Sequence, residues 1–269
     1  MNFKRSIRKM DTKKKWLIII RVFAALVLWF GIYKGLAYLA DTYLSDRIPE
    51  ILQMLIRATL IPYGMAMPAA YLIIRGMKKA ESDTPFMRPG FANLGKIFLI
   101  QSGLSFIALF PLSVLLKLMH INTPATTAEE ILAHPLYYCF LLLIFAPLME
   151  ELLFRKIFFD RLMVLGTKTA ILISAVFFAL PHLVSQGPAQ VFYTFVLALS
   201  FGYVTARTRK LWPAILLHSL SNLYCGIIAA VWPKDKPLFM LAYFAVYLIA
   251  VPAAAVLLAV FNRKKLCLD

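Results

Sequence analysis

Long apolar runs, broken by short stretches rich in charge, Pro or Gly, divide the chain into eight segments near residues 16–38, 51–74, 97–119, 137–162, 168–186, 189–206, 212–232 and 238–261. A helix that spans a bilayer needs about 20 mainly apolar residues, so each segment predicts one transmembrane helix. The fifth and sixth are shorter and joined only by SQGPAQ, which leaves open a tilted or partly re-entrant path for one of them. No internal repeat or low-complexity tract interrupts the series. The expected fold is all-α: a polytopic membrane protein of about eight transmembrane helices enclosing an intramembrane polar cavity.

Composition excludes the soluble alternative. Hydrophobic residues make up 61% of 269 positions and charged ones 16%, a balance that a water-soluble domain could accommodate only by burying almost everything. The net charge of +16 would suit a nucleic-acid binder, but the basic residues stand in short clusters between apolar runs, where membrane topology explains them. With the N-terminus inside, 22 of the 29 Lys and Arg residues fall on the inner side, and only Arg47, Lys234 and Lys236 lie in outer loops. Because cytoplasmic loops collect positive charge, this split predicts a multi-pass protein of the cell membrane with both termini cytoplasmic. The basic N-terminal stretch before residue 16 is expected to precede an uncleaved first span. Of the four cations within spans, Arg21, Lys34 and Lys117 can snorkel, whereas Arg57 calls for a partner. Cys139, Cys225 and Cys267 show neither metal-ligand spacing nor a disulfide framework.

Within this apolar background five polar groups stand apart. Glu150 and Glu151 lie inside YYCFLLLIFAPLMEELLFRKIFF, while the other eleven acids fall in or beside polar stretches. His182 closes FALPH, and His218 and Asn222 bracket HSLSN. An ionisable residue inside a membrane span is a functional candidate by default. Residues four apart share a helix face while neighbours are turned about 100° from each other, so Glu151 can pair with Arg155 and Glu150 points elsewhere, free to act as a general base. The same spacing projects His218 and Asn222 together, as hydrogen-bond donors of the oxyanion-stabilising kind, and sets the Phe178 ring beside His182. Pro181 frees a carbonyl at membrane depth, which is tolerated where backbone lines a cavity. At a rise of 1.5 Å per residue, Glu150, His182 and His218 lie about 18, 21 and 9 Å from the inner ends of their spans. They are expected to meet in one inward-facing, water-filled chamber. The first two spans carry none of these groups and read as an added module.

Taken singly, each residue could be a packing or gluing side chain. Together they form a parts list for activating water against a carbonyl, with a proton-coupled transporter as the competing reading. Three motifs then sharpen the choice. EELLFR, FALPH and HSLSN fit the patterns EExxxR, FxxxH and HxxxN, in that order and on successive spans, and FGYVTARTRKLWPAILLHSLSN adds Gly, a basic turn and Trp-Pro. The stretch from about 136 to 228 resembles the CPBP family, which comprises CAAX-prenyl endopeptidases and bacteriocin-processing or self-immunity (Abi) proteins. On this resemblance residues 1–135 supply a basic cytoplasmic segment and three helices, 136–228 the catalytic core, and 229–269 the last helix and a cytoplasmic tail.

The resemblance implies an intramembrane endopeptidase acting on a leader peptide or membrane-protein substrate. In it Glu150 activates water with help from His182, His218 and Asn222 stabilise the oxyanion, and Glu151, Arg155 and Phe178 support them. No cofactor is expected. The alternative is zinc held by Glu150, His182 and His218, although no HExxH is present. A non-proteolytic immunity or scaffold protein of the same fold is the other alternative.

Overall fold

The computed structural model describes residues 10–45, 47–121 and 126–266. Among these there are helices and no strand. They form α1 (Thr12–Leu44), α2 (50–74), α3 (Phe91–Leu118), the short α4 (Ala128–Ala133), α5 (Pro135–Leu165), α6 (Thr167–Gln186), α7 (Pro188–Thr208), α8 (Trp212–Val231) and α9 (237–266). Seven of them, all except α2 and α4, are long and apolar enough to cross a membrane. The remaining predicted span, α2, is helical over the expected residues, but Arg57, Pro62, Gly64 and Pro68 dilute its hydropathy. Leu17, Phe23, Leu72, Phe91, Ile107, Leu172 and Leu257 project outward, the apolar exterior that a bilayer solvates.

The α6–α7 pair lies at the centre. Half of the α7 span and 44% of the α6 span are buried, against 17% for α9, so these two helices form the core on which the others pack. Both are continuous helices, each long and apolar enough to cross a membrane. Gly187 alone joins them, at φ 85° and ψ 177°. Only glycine adopts such a backbone readily, and Pro188, which has no N–H to satisfy, starts the next helix at its first position.

Close approaches fix the outer helices. At Gly103 on α3 an added Cβ would overlap Ala255 Cβ and sit 2.7 Å from the Val251 carbonyl oxygen, so glycine is what lets α3 meet α9. Beside it, Gln101 Nε2 donates to Ser221 Oγ at 2.8 Å and Ser102 is fully buried. The QSG run at 101–103 thus has a packing role. Trp29 Nε1 donates to the Pro62 carbonyl at 2.8 Å, and buried Arg161 on α5 donates to the Ile74 carbonyl at 2.7 Å, tying α1 and α2 to the core. Arg57 finds its partner in Asp41 at 3.0 Å, both half-exposed.

Candidate active site

The two adjacent carboxylates at the centre of α5 face different surroundings. Glu151 is fully buried: its Oε2 lies 3.2 Å from Arg155 Nε and its Oε1 lies 3.0 Å from His218 Nδ1. Arg155 then donates to Ser174 Oγ at 2.7 Å and to the Ala198 carbonyl at 3.2 Å, with its guanidinium 5.1 Å from the centre of the Phe178 ring and 5.9 Å from that of Phe201. A charge removed from water is tolerated when it is paired and hydrogen-bonded. This network meets that condition and in doing so joins α5, α6, α7 and α8. The Glu151–Arg155 pair follows from the four-residue spacing; the His218 bond does not.

Glu150 keeps a fifth of its side chain exposed, and its Oε2 lies 3.9 Å from His218 Nε2. Tyr63 on α2 directs its hydroxyl at Glu150 Oε1, 3.5 Å away. His218 stacks on Phe201 with ring centres 5.1 Å apart, which holds Nε2 on the Glu150 side. On α6, His182 Nδ1 lies 3.0 Å from the Phe178 carbonyl, so in the neutral ring that nitrogen donates and Nε2 remains an acceptor. The Phe178 ring flanks the imidazole at 5.4 Å, as the spacing predicts. Glu150 and His182 line one cavity of about 260 Å3 together with Tyr63, Pro181, Ser185 and Gln186.

Asn222 stands elsewhere. It lines a second cavity of about 360 Å3, which shares only Leu142 and Gln186 with the first, and its Nδ2 donates to the Leu142 carbonyl at 2.9 Å. The reason lies in the backbone of α5. Residues Leu141–Phe145 are π-helical, with the Ala146 N–H bonding the Leu141 carbonyl five residues back. In that register the Leu142 carbonyl faces Pro147, which has no N–H. Asn222 supplies the missing donor. The backbone between His218 and Asn222 is regular α-helix, with the Asn222 N–H bonding the His218 carbonyl, but the two side chains take different partners on α5: His218 meets Glu151 and Asn222 the Leu142 carbonyl. Of the two, only Asn222 lines the second cavity.

One further expectation needs correction. The Glu150 cavity is lined by Trp29, Phe30 and Tyr33 of α1 and by Ala58, Pro62 and Tyr63 of α2 as well as by α5 and α6. Hence α1 and α2 are not an added module, since they wall the cavity and contribute Tyr63. The only local signal for Tyr63 is a polar-tipped ring between Pro62 and Gly64 in an otherwise apolar run.

The alternative metal ligands do not fit a zinc site. Among the described residues no three His, Cys, Asp or Glu side chains converge as a ligand set. His218 Nδ1 bonds Glu151 and His182 Nδ1 a backbone carbonyl, contacts that orient each imidazole whatever Nε2 meets, and Glu150, His182 and His218 are not grouped as a ligand set.

Residues 132–224 match the family model described as type II CAAX prenyl endopeptidase Rce1-like. The match covers 93 of the chain's 269 residues and shows this part to be similar to that family. The matched stretch contains all three motifs and both residues that the two cavities share, Leu142 and Gln186. Tyr63 and the α1 wall lie outside it. At family level the match supports a CAAX-type intramembrane protease. Neither a curated protein nor a solved structure matches the chain.

Proposed function

We propose that the protein is an intramembrane endopeptidase in which Glu150 is the general base. The observation that carries this reading is the division of labour between neighbours: Glu151 is sealed between Arg155 and His218, while Glu150 is partly exposed in a cavity that it shares with His182. A water in that cavity donates one hydrogen to Glu150 and the other to the free Nε2 of His182, which aims its oxygen at a scissile carbonyl. Glu150 takes the proton as the new C–O bond forms, and the Tyr63 hydroxyl meets the developing oxyanion. Glu151 holds His218 through Nδ1, so that Nε2 faces Glu150 and relays the proton to the departing amine as the C–N bond breaks. The products are a carboxylate and an amine, with no covalent enzyme intermediate. Asn222 acts as a positioning residue for α8 against α5.

The test is peptidase turnover in liposomes with fluorogenic peptides, comprising a prenylated CAAX-type tail and unmodified hydrophobic peptides. Glu150→Gln is expected to lower turnover by about 10²–10⁴-fold and Tyr63→Phe by about 10²-fold, with unchanged thermal unfolding. Full activity of Glu150→Gln would refute the base assignment.

A further inference from the structure

A third cavity, of about 680 Å3, is larger than those lined by Glu150 and by Asn222, and its wall is rich in charge. It forms where helix ends and connections meet: the 75–90 connection brings Lys79, α5 brings Lys156, and the turn between α7 and α8 brings Arg209 and Lys210. Asp160 pairs with Lys156 at 3.0 Å, and Arg155, on the same wall, is committed to Glu151. The side chains of Lys79, Arg209 and Lys210 have no hydrogen bond or ion pair among the described residues, and Glu81 is the one remaining carboxylate on the wall. Three unpaired cations against one acid leave an excess of positive charge around an open volume.

Membrane topology by itself asks only that basic residues lie in the connections; it does not require them to converge on a structured wall. Here the connection is strapped down. The Ala80 N–H bonds the Asp160 carbonyl at 2.9 Å, and the Met87 N–H bonds the Arg207 carbonyl at 2.7 Å. Between these bonds the hydroxyls of Ser82 and Thr84, both buried, meet at 2.7 Å, and Thr167 Oγ1 at the start of α6 donates to Asp83 Oδ1 at 2.6 Å. Lys79 is thereby fixed opposite the α7–α8 turn. In that turn Arg209 caps α7 at φ 55° and ψ 24°, the left-handed region in which helices usually end on glycine. The position accepts the steric cost of a Cβ there and gains a guanidinium on the wall. Thr205, one turn earlier, also lines the cavity, and its buried hydroxyl oxygen has no partner.

We propose that this cavity binds a phosphate-bearing anion through Lys79, Arg209 and Lys210. A guanidinium holds two oxygens of one phosphate in a fork, and the two ammonium groups add charge without demanding a fixed geometry. The ends of helices that cross a bilayer lie at headgroup level, where basic pockets between helices take anionic lipid headgroups; a soluble phosphate offers the same chemistry. None of the three cations lines the Glu150 cavity, so anion binding does not depend on peptidase activity.

The full-length protein in neutral detergent is titrated, at neutral pH and fixed ionic strength, with short-chain phosphatidylglycerol, with short-chain phosphatidylcholine and with inorganic phosphate, and binding is followed by calorimetry and by the shift in unfolding midpoint. Saturable binding of phosphatidylglycerol, weakened by about 10-fold or more in Arg209→Gln/Lys210→Gln and unchanged in the charge-matched Lys13→Gln/Lys14→Gln, is expected and identifies a lipid headgroup. The same pattern with inorganic phosphate in place of the lipid identifies a soluble phosphate. Equal binding of the two lipids, equal losses in the two double variants, or no saturable binding of either anion overturns the proposal. Should Arg209→Gln lower the unfolding midpoint through the α7 cap, Lys79→Gln/Lys210→Gln leaves the cap in place and is read in the same way.

Discussion

Glu151 Oε1 and His218 Nδ1 lie 3.0 Å apart in a fully enclosed environment, and this contact makes the two halves of the Rce1-like stretch one site. Through it α8 is registered against α5, and the second nitrogen of His218 is turned toward Glu150, 3.9 Å away. The carboxylate that touches the imidazole most closely is therefore the one that orients it, and its partly exposed neighbour, Glu150, is the one proposed as the base.

Replacing Glu151 by Leu removes the acid from this network and leaves the Arg155 guanidinium buried without its counter-charge. The expected loss is about 3–5 kcal/mol, read as a fall in the unfolding midpoint in detergent, together with loss of activity. The double variant Glu151→Leu/Arg155→Met restores much of the stability but not the activity, since His218 is no longer held. Equal stability of the two variants would mean that the ion pair is not what the fold depends on.

Asn222→Ala orphans the Leu142 carbonyl, at a cost of about 1–3 kcal/mol. Pro147→Ala supplies a backbone N–H in the register that Asn222 now completes. The double variant Asn222→Ala/Pro147→Ala should consequently unfold at a higher temperature than Asn222→Ala alone. A strictly additive cycle would show that the two residues do not serve the same carbonyl.

Because Glu150, His182 and His218 do not converge as ligands, stripping divalent metals with a strong chelator is expected to leave turnover unchanged. Under the same conditions His218→Ala lowers it by slowing proton relay, without changing metal content. Stoichiometric zinc in the purified protein, with activity lost on chelation and regained on zinc addition, would instead assign those residues to a metal centre.

The spans were legible because each is a run of apolar residues long enough for a bilayer, and the polar groups of the site were legible because charge inside such runs is rare. Spacing alone gave the Glu151–Arg155 pair and the Phe178–His182 contact, since both lie within one helix. Tertiary structure decided the rest. That His218 answers to Glu151, that Asn222 serves a carbonyl left open by Pro147, and that Tyr63 reaches Glu150 are contacts between helices far apart in the chain. Their relative depth and rotation depend on close packing at places such as Gly103 and on π-helical turns that shift the register. That α1 and α2 wall the Glu150 cavity was likewise beyond reach of residue counting, because which helices pack side by side is set by contacts such as that of Trp29 with the Pro62 carbonyl.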